Sequence, residues 1–169
     1  MKVLLTGASG YIGKRLLPVL IGQGHEIICC IRDKKRFPTE GIYRHPNITL
    51  FEVDFLKENL SADSIKDIDA AYYLIHSMST NSGDFEKLEA VSANNFVALV
   101  EQTAAKQIIY LGGITNEEKL SKHLTSRNNV EQILSKSSIP LTAIKAGIIV
   151  GSGSASFEII RDLVEKLPI

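Results

Sequence analysis

The chain has 169 residues, of which 44% are hydrophobic and 22% are charged, and its formal net charge is zero. This length suits one domain with a substantial core. A neutral balance gives no electrostatic footprint for nucleic acid or an anionic membrane surface. No apolar run reaches the length of a membrane-spanning helix, and the start of the chain lacks the layout of a signal peptide, so we expect a cytoplasmic protein.

The first motif is a glycine turn that joins a short apolar run to a helical pattern. Gly7, Gly10 and Gly13 have the spacing G-x-x-G-x-x-G. The first two lack a Cβ where a dinucleotide pyrophosphate would approach the backbone, and the third lets the helix pack close to the strand. The alternative is an ordinary structural turn. The predicted cofactor-binding residues here are Gly7, Ser9, Gly10, Tyr11, Ile12 and Gly13.

Apolar runs alternate with helical stretches along the chain, which predicts a parallel sheet covered by helices on both faces. Strands are predicted near 2–6, 26–31, 48–53, 69–75, 107–112 and 141–147. Helices are predicted near 11–23, 61–66, 84–105, 117–137 and 156–166. Strand order 3-2-1-4-5-6 would make this an α/β, three-layer, doubly wound fold, with its ligand over the carboxyl ends of the strands.

Two adjacent cysteines, Cys29 and Cys30, lie in the second predicted strand. Neighbouring strand residues face opposite sides of a sheet, so the two thiols should point apart and remain buried and reduced. The four histidines of the chain are scattered, and no spacing matches a zinc site. We therefore assign no metal-binding residues.

The end of the second strand usually selects the cofactor in folds of this kind. An acidic residue there favours the free 2′-hydroxyl of NAD, and a basic residue accommodates the 2′-phosphate of NADP. Arg32 follows the apolar run directly, and Asp33 and the basic run 34–36 follow it. Arg32 predicts NADP(H), with NAD(H) as the alternative if Asp33 occupies the strand end. The basic run is equally consistent with a solvated loop.

Polar side chains follow two further strands. Asp54 comes after the third strand, where its carboxylate can accept a hydrogen bond from an adenine amino group or cap the next turn. His76 and Ser77 come after the fourth strand, beside the expected nicotinamide half of the cofactor, and we expect them to line the site. The alternative for His76 is a loop histidine. The small-residue loop 151–156 would surround the substrate or the nicotinamide, or only cap the last helix.

These residues resemble the extended and atypical short-chain dehydrogenase/reductases. The glycine turn, Val53-Asp54-Phe55 and Asn95 stand where that superfamily places its cofactor motifs, which adds Phe55 to the implied cofactor-binding residues. The chain is more closely similar to a bacterial subgroup of NmrA-like NAD(P)-binding proteins, in which this domain precedes a large domain of unknown function. That similarity rests on the segments 73–78, 84–85 and 146–158.

The catalytic Tyr-x-x-x-Lys of that superfamily is missing, because no tyrosine of the chain has a lysine four residues later. At the expected place stand His123 and Arg127, which share one helical face. Histidine can deliver a proton near neutral pH, and arginine can bind ribose or phosphate, so this pair is the catalytic candidate. The alternative is an ordinary surface pair. The serine common after strand 5 is also replaced, with Thr115 as the nearest hydroxyl.

The related proteins continue well past the equivalent of Ile169, so we expect residues 1–169 to be the NAD(P)-binding domain without most of the substrate-binding part. The first functional hypothesis is an NADP(H)-dependent oxidoreductase acting on a small carbonyl, enone or quinone-like substrate. The second is a non-catalytic NADP(H)-binding sensor that acts on a protein partner. The third is a piece that binds cofactor weakly and forms a homodimer through exposed apolar surface.

Overall fold

Six strands form one sheet in the order β3-β2-β1-β4-β5-β6, in a computed structural model that describes residues 1–76, 85–114 and 122–167, without the side chains of 122, 123, 155 and 156. The strands are β1 (Lys2–Leu5), β2 (Glu26–Ile31), β3 (Ile48–Glu52), β4 (Ala70–Tyr73), β5 (Gln107–Gly113) and β6 (Leu141–Ala146). The helices are α1 (Tyr11–Gly22), α2 (Phe85–Val100), α3 (Lys122–Ser135) and α4 (Ala155–Lys166).

All five strand pairings are parallel, so the predicted α/β class and strand order are confirmed. β1 lies at the centre, where Val3 pairs with Ile27 on one side and Ala70 on the other. The chain builds outward from β1 through β2 and β3, and then continues on the opposite side through β4, β5 and β6. In such sheets the connections diverge above the central strands and leave a crevice at their carboxyl ends.

The two faces of the sheet have separate hydrophobic cores, because successive strand residues point in opposite directions. Helix α1 covers one face, where Leu17 and Cys29 are fully buried. Helices α2 and α3 cover the other, where Cys30 packs with Phe96 and Leu134. The two thiols are free and lie on opposite faces, as predicted. Burial raises the pKa of Cys29 to about 12 and that of Cys30 as well, so both thiols are unreactive near neutral pH.

Helix α1 shows how the sequence pattern produces this packing. Its buried residues are Gly13, Leu17, Leu20 and Ile21, whose spacing places them on one side of a helix. Each fully buried leucine contributes about 1.5–3 kcal/mol relative to an exposed one. This face holds the start of α1 directly beside the end of β1.

One predicted element is wrong. No helix spans residues 61–66, which instead form turns in which the Ile65 N–H donates to the Ala62 carbonyl oxygen over 2.9 Å. The apolar residues of this segment are buried, including Ala62, Ile65 and Ile68. A single helical turn fixes many dihedral angles for one hydrogen bond. A segment of this length therefore gains more stability from the burial of its apolar side chains than from forming a helix.

None of the helices in the described ranges is both long and apolar enough to cross a membrane. Helix α4 is amphipathic, and its apolar side chains Ile159, Leu163 and Val164 are exposed.

Candidate functional site

The glycine turn begins where β1 meets β4. Gly7 has a φ of +65°, and a Cβ added to it would lie 2.8 Å from the carbonyl oxygen of Leu74. Thr6 is fully buried and joins the two strands: its hydroxyl donates to the Tyr72 carbonyl oxygen over 3.0 Å and accepts from the Leu74 N–H over 2.8 Å. Only glycine suits this position, because the left-handed backbone and the close approach each exclude a side chain.

Gly13 allows the helix to start against the turn. A Cβ on Gly13 would overlap the Gly7 carbonyl oxygen and lie 2.7 Å from the Ala8 Cα. Gly10 is also closely approached, since its Cβ would lie 3.1 Å from that same oxygen. The three glycines thus make a cradle of bare backbone that side chains would fill.

The first turn of α1 offers backbone N–H groups to a ligand. Its first internal hydrogen bond runs from the Lys14 N–H to the Gly10 carbonyl oxygen over 2.9 Å. Gly10 supplies no capping side chain, and the turn contains no acidic residue. Ser9 is exposed and Ile12 is half-buried at this helix start. An uncapped N-terminus with a positive dipole end and no competing carboxylate fits an anionic pyrophosphate.

The loop after β6 lies against this helix start. The Tyr11 hydroxyl touches Gly151, where a Cβ would overlap it. The Arg15 guanidinium stacks 3.7 Å from the centre of the Tyr11 ring and donates to the Ser152 carbonyl oxygen over 2.7 Å. This loop was predicted only from its small residues, and the tertiary structure brings it to the same edge as the glycine turn.

The same loop caps the last helix, which is one of the two roles considered from the sequence. The Ser154 hydroxyl accepts from the Phe157 N–H over 3.1 Å and donates to the Ile149 carbonyl oxygen over 2.9 Å. Glu158 reaches back to accept from the Gly153 N–H over 2.9 Å. Such reciprocal bonds fix the start of a helix.

Arg32 and Asp54 line one cleft of about 300 Å³ at the carboxyl ends of β2 and β3. Arg32 follows the last residue of β2 and is exposed. Asp33 comes one residue later, and its Oδ1 accepts from the Lys35 N–H over 2.8 Å to cap a single 3-10 turn, Lys34–Arg36. Arg32, rather than Asp33, therefore occupies the strand-end position in this structure.

Asp54 also caps the turn that follows it, since its Oδ1 accepts from the Leu56 N–H over 3.1 Å. Phe55 has its side chain in the core, 5.7 Å from the ring centre of Phe96, so a contact between Phe55 and a ligand would come from its backbone. Asn95 holds this segment in place by donating to the Phe55 carbonyl oxygen over 2.8 Å.

His76 lies at the end of the segment that follows β4. Its Nδ1 is 3.0 Å from the Oε1 of Glu89, a helix α2 residue that is only 4% exposed. The Ser126 hydroxyl of helix α3 donates a very short hydrogen bond to the other carboxylate oxygen of Glu89. Ser77, which was predicted beside His76, lies outside the described residues.

Glu89 and Ser126 were not identified as site residues from the sequence. The available signal is helical periodicity: the buried face of α2 includes Glu89, Ser92, Ala93 and Phe96. A glutamate on an otherwise apolar face needs buried partners. The sequence does not show that those partners come from β4 and α3.

The structure describes the side chain of Arg127 but not that of His123, the other residue of the predicted catalytic pair. The Arg127 side chain approaches the carboxyl end of β5, where a Cβ on Gly113 would lie 3.5 Å from its Cδ and 3.6 Å from its Nη1. Gly113 thus makes room for this arginine beside the sheet edge. His123 belongs to the first turn of α3, and its side chain lies outside the described part of the chain, as does Thr115.

Two buried tyrosines lie near Glu89. The Tyr73 hydroxyl donates to the Ser92 hydroxyl over 3.2 Å, and the Tyr110 hydroxyl donates to the Arg127 carbonyl oxygen over 3.1 Å. Burial raises the pKa of Tyr73 and raises that of Tyr110 to about 12. Both hydroxyls therefore stay neutral and serve the packing of α2 and α3.

Comparison with known proteins agrees with this geometry. A family described as NAD(P)H-binding matches residues 7–162, so the chain belongs to that family. It is 20% identical over 153 residues to the photosystem II assembly factor Ycf39 of Synechocystis, covering 89% of this chain and 46% of that protein. A 65-residue stretch is 38% identical to a putative [LysW]-L-2-aminoadipate/[LysW]-L-glutamate phosphate reductase of Pyrobaculum aerophilum, covering 37% of this chain and 18% of that protein. The chain spans less than half the length of either.

Solved structures share the fold. A putative NAD-dependent epimerase/dehydratase from Bacillus halodurans has a TM-score of 0.75 and 20% identity, over 92% of this chain and 74% of that one. The Bordetella bronchiseptica enzyme WbmH, in complex with NAD+, has a TM-score of 0.72 and 18% identity, over 97% and 62% of the two chains. The UDP-glucuronic acid 4-epimerase from Bacillus cereus, in complex with NAD, has a TM-score of 0.72 and 16% identity, over 99% and 64%.

Proposed function

We propose that this chain is the cofactor-binding domain of an NADP(H)-preferring oxidoreductase of the atypical, NmrA-like short-chain dehydrogenase/reductase type. The observation that carries the proposal is the arrangement of one carboxyl edge: a bare glycine cradle at β1 and an exposed arginine directly after β2, with the neighbouring Asp33 engaged in a turn. The cradle suits a pyrophosphate, and the arginine suits a 2′-phosphate.

Each part of the edge has a distinct task in this proposal. The N–H groups at the start of α1 hold the pyrophosphate, and the Arg32 guanidinium contacts the 2′-phosphate. The second carboxylate oxygen of Asp54 accepts from the adenine amino group while the first keeps its turn. His76 and Ser77 lie by the nicotinamide, and Arg127 is a candidate for ribose or phosphate. The order of these residues across the sheet, from β3 to β5, supports a cofactor lying along the edge.

When bound, the reduced nicotinamide supplies a hydride to the carbonyl carbon of a small carbonyl, enone or quinone-like substrate. The chain must then provide the proton for the substrate oxygen. His123 is the candidate for this step from the sequence, four residues before Arg127.

A second candidate function is a non-catalytic NADP(H) sensor that acts on a protein partner. It is favoured by the missing Tyr-x-x-x-Lys and by the two buried tyrosines of β4 and β5, whose hydroxyls serve as structural hydrogen-bond donors. The sensor binds cofactor as the enzyme does, but it oxidises nothing in a panel of carbonyl substrates. In either case the two free, buried cysteines suit a reducing compartment, and we propose the cytoplasm.

The test is a calorimetric titration of the purified chain with NADPH and with NADH. Arg32→Ala should weaken NADPH binding by about 10- to 100-fold, since a charge-assisted hydrogen bond is worth about 1.5–3 kcal/mol. NADH binding should stay within about twofold, because NADH has no 2′-phosphate. Lys35→Ala is the matched control: it removes a positive charge from the same exposed loop and keeps the backbone N–H that Asp33 caps.

Equal affinity of the original chain for the two cofactors would contradict the NADP preference. Absence of binding to either cofactor would contradict the cofactor function as a whole.

A further inference from the structure

Glu89 of helix α2 carries a buried carboxyl group that lies between the segment after β4 and helix α3. Glu89 is 4% exposed, and its two oxygens contact His76 from the end of β4 and Ser126 from α3. A carboxylate buried between helices is retained only where hydrogen-bond partners offset its lost hydration. His76 is the solvent-facing member of this group, because its side chain remains 23% exposed.

The contact with Glu89 bears on which nitrogen of the His76 imidazole carries the proton. With Glu89 ionised, its carboxylate only accepts hydrogen bonds, and the 3.0 Å contact then places a proton on Nδ1 of His76. In the neutral ring Nε2 is then bare. Within the described residues, Nε2 has no hydrogen-bond partner, so it can contact a ligand. A histidine with one nitrogen held by a buried carboxylate and the other without a partner among the described residues is suited to proton transfer.

The imidazole follows a chain segment that packs against the glycine turn. Leu74, two residues before His76, lies against Gly7 of the cofactor turn. His76 therefore stands at the carboxyl edge between β1 and β4, where the two halves of the sheet diverge. The neighbouring Tyr73 and Tyr110 do not compete for this role, since both hydroxyls are buried and already donate.

We propose that His76 is the catalytic acid and base of this domain and that Glu89 is its positioning residue; this rests on the proposed function. In the reductive direction the carbonyl carbon gains the hydride and its two electrons from NADPH. The carbonyl oxygen takes the Nε2 proton of the imidazolium, which leaves the neutral Nδ1–H ring, and solvent restores the proton. The products are an alcohol and NADP+. In the oxidative direction the bare Nε2 takes the alcohol proton, and Glu89 stabilises the imidazolium.

The first test is a spectroscopic one that needs no turnover. Nitrogen-15 NMR of the labelled chain, at about pH 9 where histidine is ordinarily neutral, should show the proton of His76 on Nδ1. His45 provides an internal reference with the opposite tautomer. Its Nδ1 accepts from the Asn47 N–H over 3.2 Å, so the proton of its neutral ring is on Nε2. Glu89→Met should shift the His76 proton towards Nε2 and leave the His45 signals unchanged.

The second test separates the catalytic role of His76 and Glu89 from the binding of the cofactor. His76→Asn keeps an N–H for Glu89 and removes Nε2. It should lower kcat for NADPH-dependent carbonyl reduction by about 100-fold or more, with the Kd for NADPH within about twofold. Glu89→Met should also lower kcat with little change in KM. His45→Asn, remote from the carboxyl edge, should leave turnover unchanged.

The outcomes are distinguishable. If the original chain does not bind NADPH, the proposed function fails. If it binds NADPH and reduces carbonyls, but His76→Asn retains full turnover or His123→Ala is the variant that loses it, only the present inference is overturned. An Nε2–H tautomer of His76 at about pH 9 likewise overturns it and leaves cofactor binding intact.

Discussion

The two halves of the sheet differ in whether an ionisable side chain is exposed at the rim or buried under the helices. In the half made by β1, β2 and β3, the core under α1 is built from apolar side chains, the buried Thr6 hydroxyl bonds across to the Tyr72 carbonyl oxygen, and the charged residues Arg32 and Asp54 lie at the rim. In the half made by β4 and β5, the packing of α2 and α3 encloses Glu89, Ser92 and Ser126. The first half presents backbone and exposed charge, whereas the second places a buried charge behind a histidine.

This difference follows from two distinct physical tasks. Binding a pyrophosphate needs backbone N–H groups and space, which glycines supply without burying any charge. Orienting an imidazole needs a fixed acceptor, and a fixed acceptor must be packed inside the protein, where it costs desolvation energy. The candidate binding residues therefore concentrate in short turns after strands, while the carboxylate that contacts His76 and the hydroxyl that supports it come from helices α2 and α3.

The largest expected effect comes from the glycine cradle. Gly13→Ala would push a methyl group into the Gly7 carbonyl oxygen, so the turn must move. We expect NADPH affinity to fall by about 100-fold or more, as several phosphate contacts are lost together, and stability to fall by about 1–3 kcal/mol. Calorimetry and thermal unfolding measure the two effects.

Gly22→Ala is the matched control at the other end of α1, because a Cβ there meets no atom within 4 Å. It should leave affinity unchanged and add about 0.5 kcal/mol to the stability of the helix. Loss of affinity in both variants would show that the helix, and not the cradle, determines binding.

The next effect concerns the buried charge in the other half. Ser126→Ala removes a hydroxyl donor from the Glu89 carboxylate and should lower the free energy of unfolding by about 1.5–3 kcal/mol. Ser135→Ala in the same helix removes an exposed hydroxyl that donates to the Gln132 carbonyl oxygen, and it should change stability by less than about 0.5 kcal/mol. Urea unfolding compares them; equal effects would mean that Glu89 does not depend on Ser126.

The smallest expected effect tests the proposed contact between Asp54 and the adenine. Asp54→Ala should weaken NADPH and NADH by the same factor, about 3- to 10-fold, because both cofactors share the adenine that one hydrogen bond would reach. The ratio of the two affinities should stay constant, in contrast to Arg32→Ala. Asp54→Asn keeps an acceptor for the Leu56 N–H and separates loss of the turn from loss of charge. A changed ratio would place Asp54 at the ribose instead.

The features predicted from the sequence are those coded by neighbouring residues. Gly7, Gly10 and Gly13 act within seven residues of chain, and the alternation of apolar runs with helical patterns is enough to predict a doubly wound sheet. Arg32 could be placed because a strand end is visible as the end of an apolar run. The prediction of a helix at 61–66 was wrong because the local pattern is short. The burial of Ile65 and Ile68, which depends on the rest of the fold, determines the conformation of this segment instead.

The sequence by itself determined the class of fold, the strand order and the glycine turn, because strand and helix periodicity and glycine conformations are local properties. Only the tertiary structure decided which polar residues meet: Glu89 with His76 and Ser126, and the loop at Gly151 with Tyr11. These partners are 13, 37 and 140 residues apart in the chain, and packing across the sheet brings them together. From the sequence alone, a glutamate in a helix is expected to be an exposed charge. Its burial depends on the whole fold and is therefore known only from the tertiary structure.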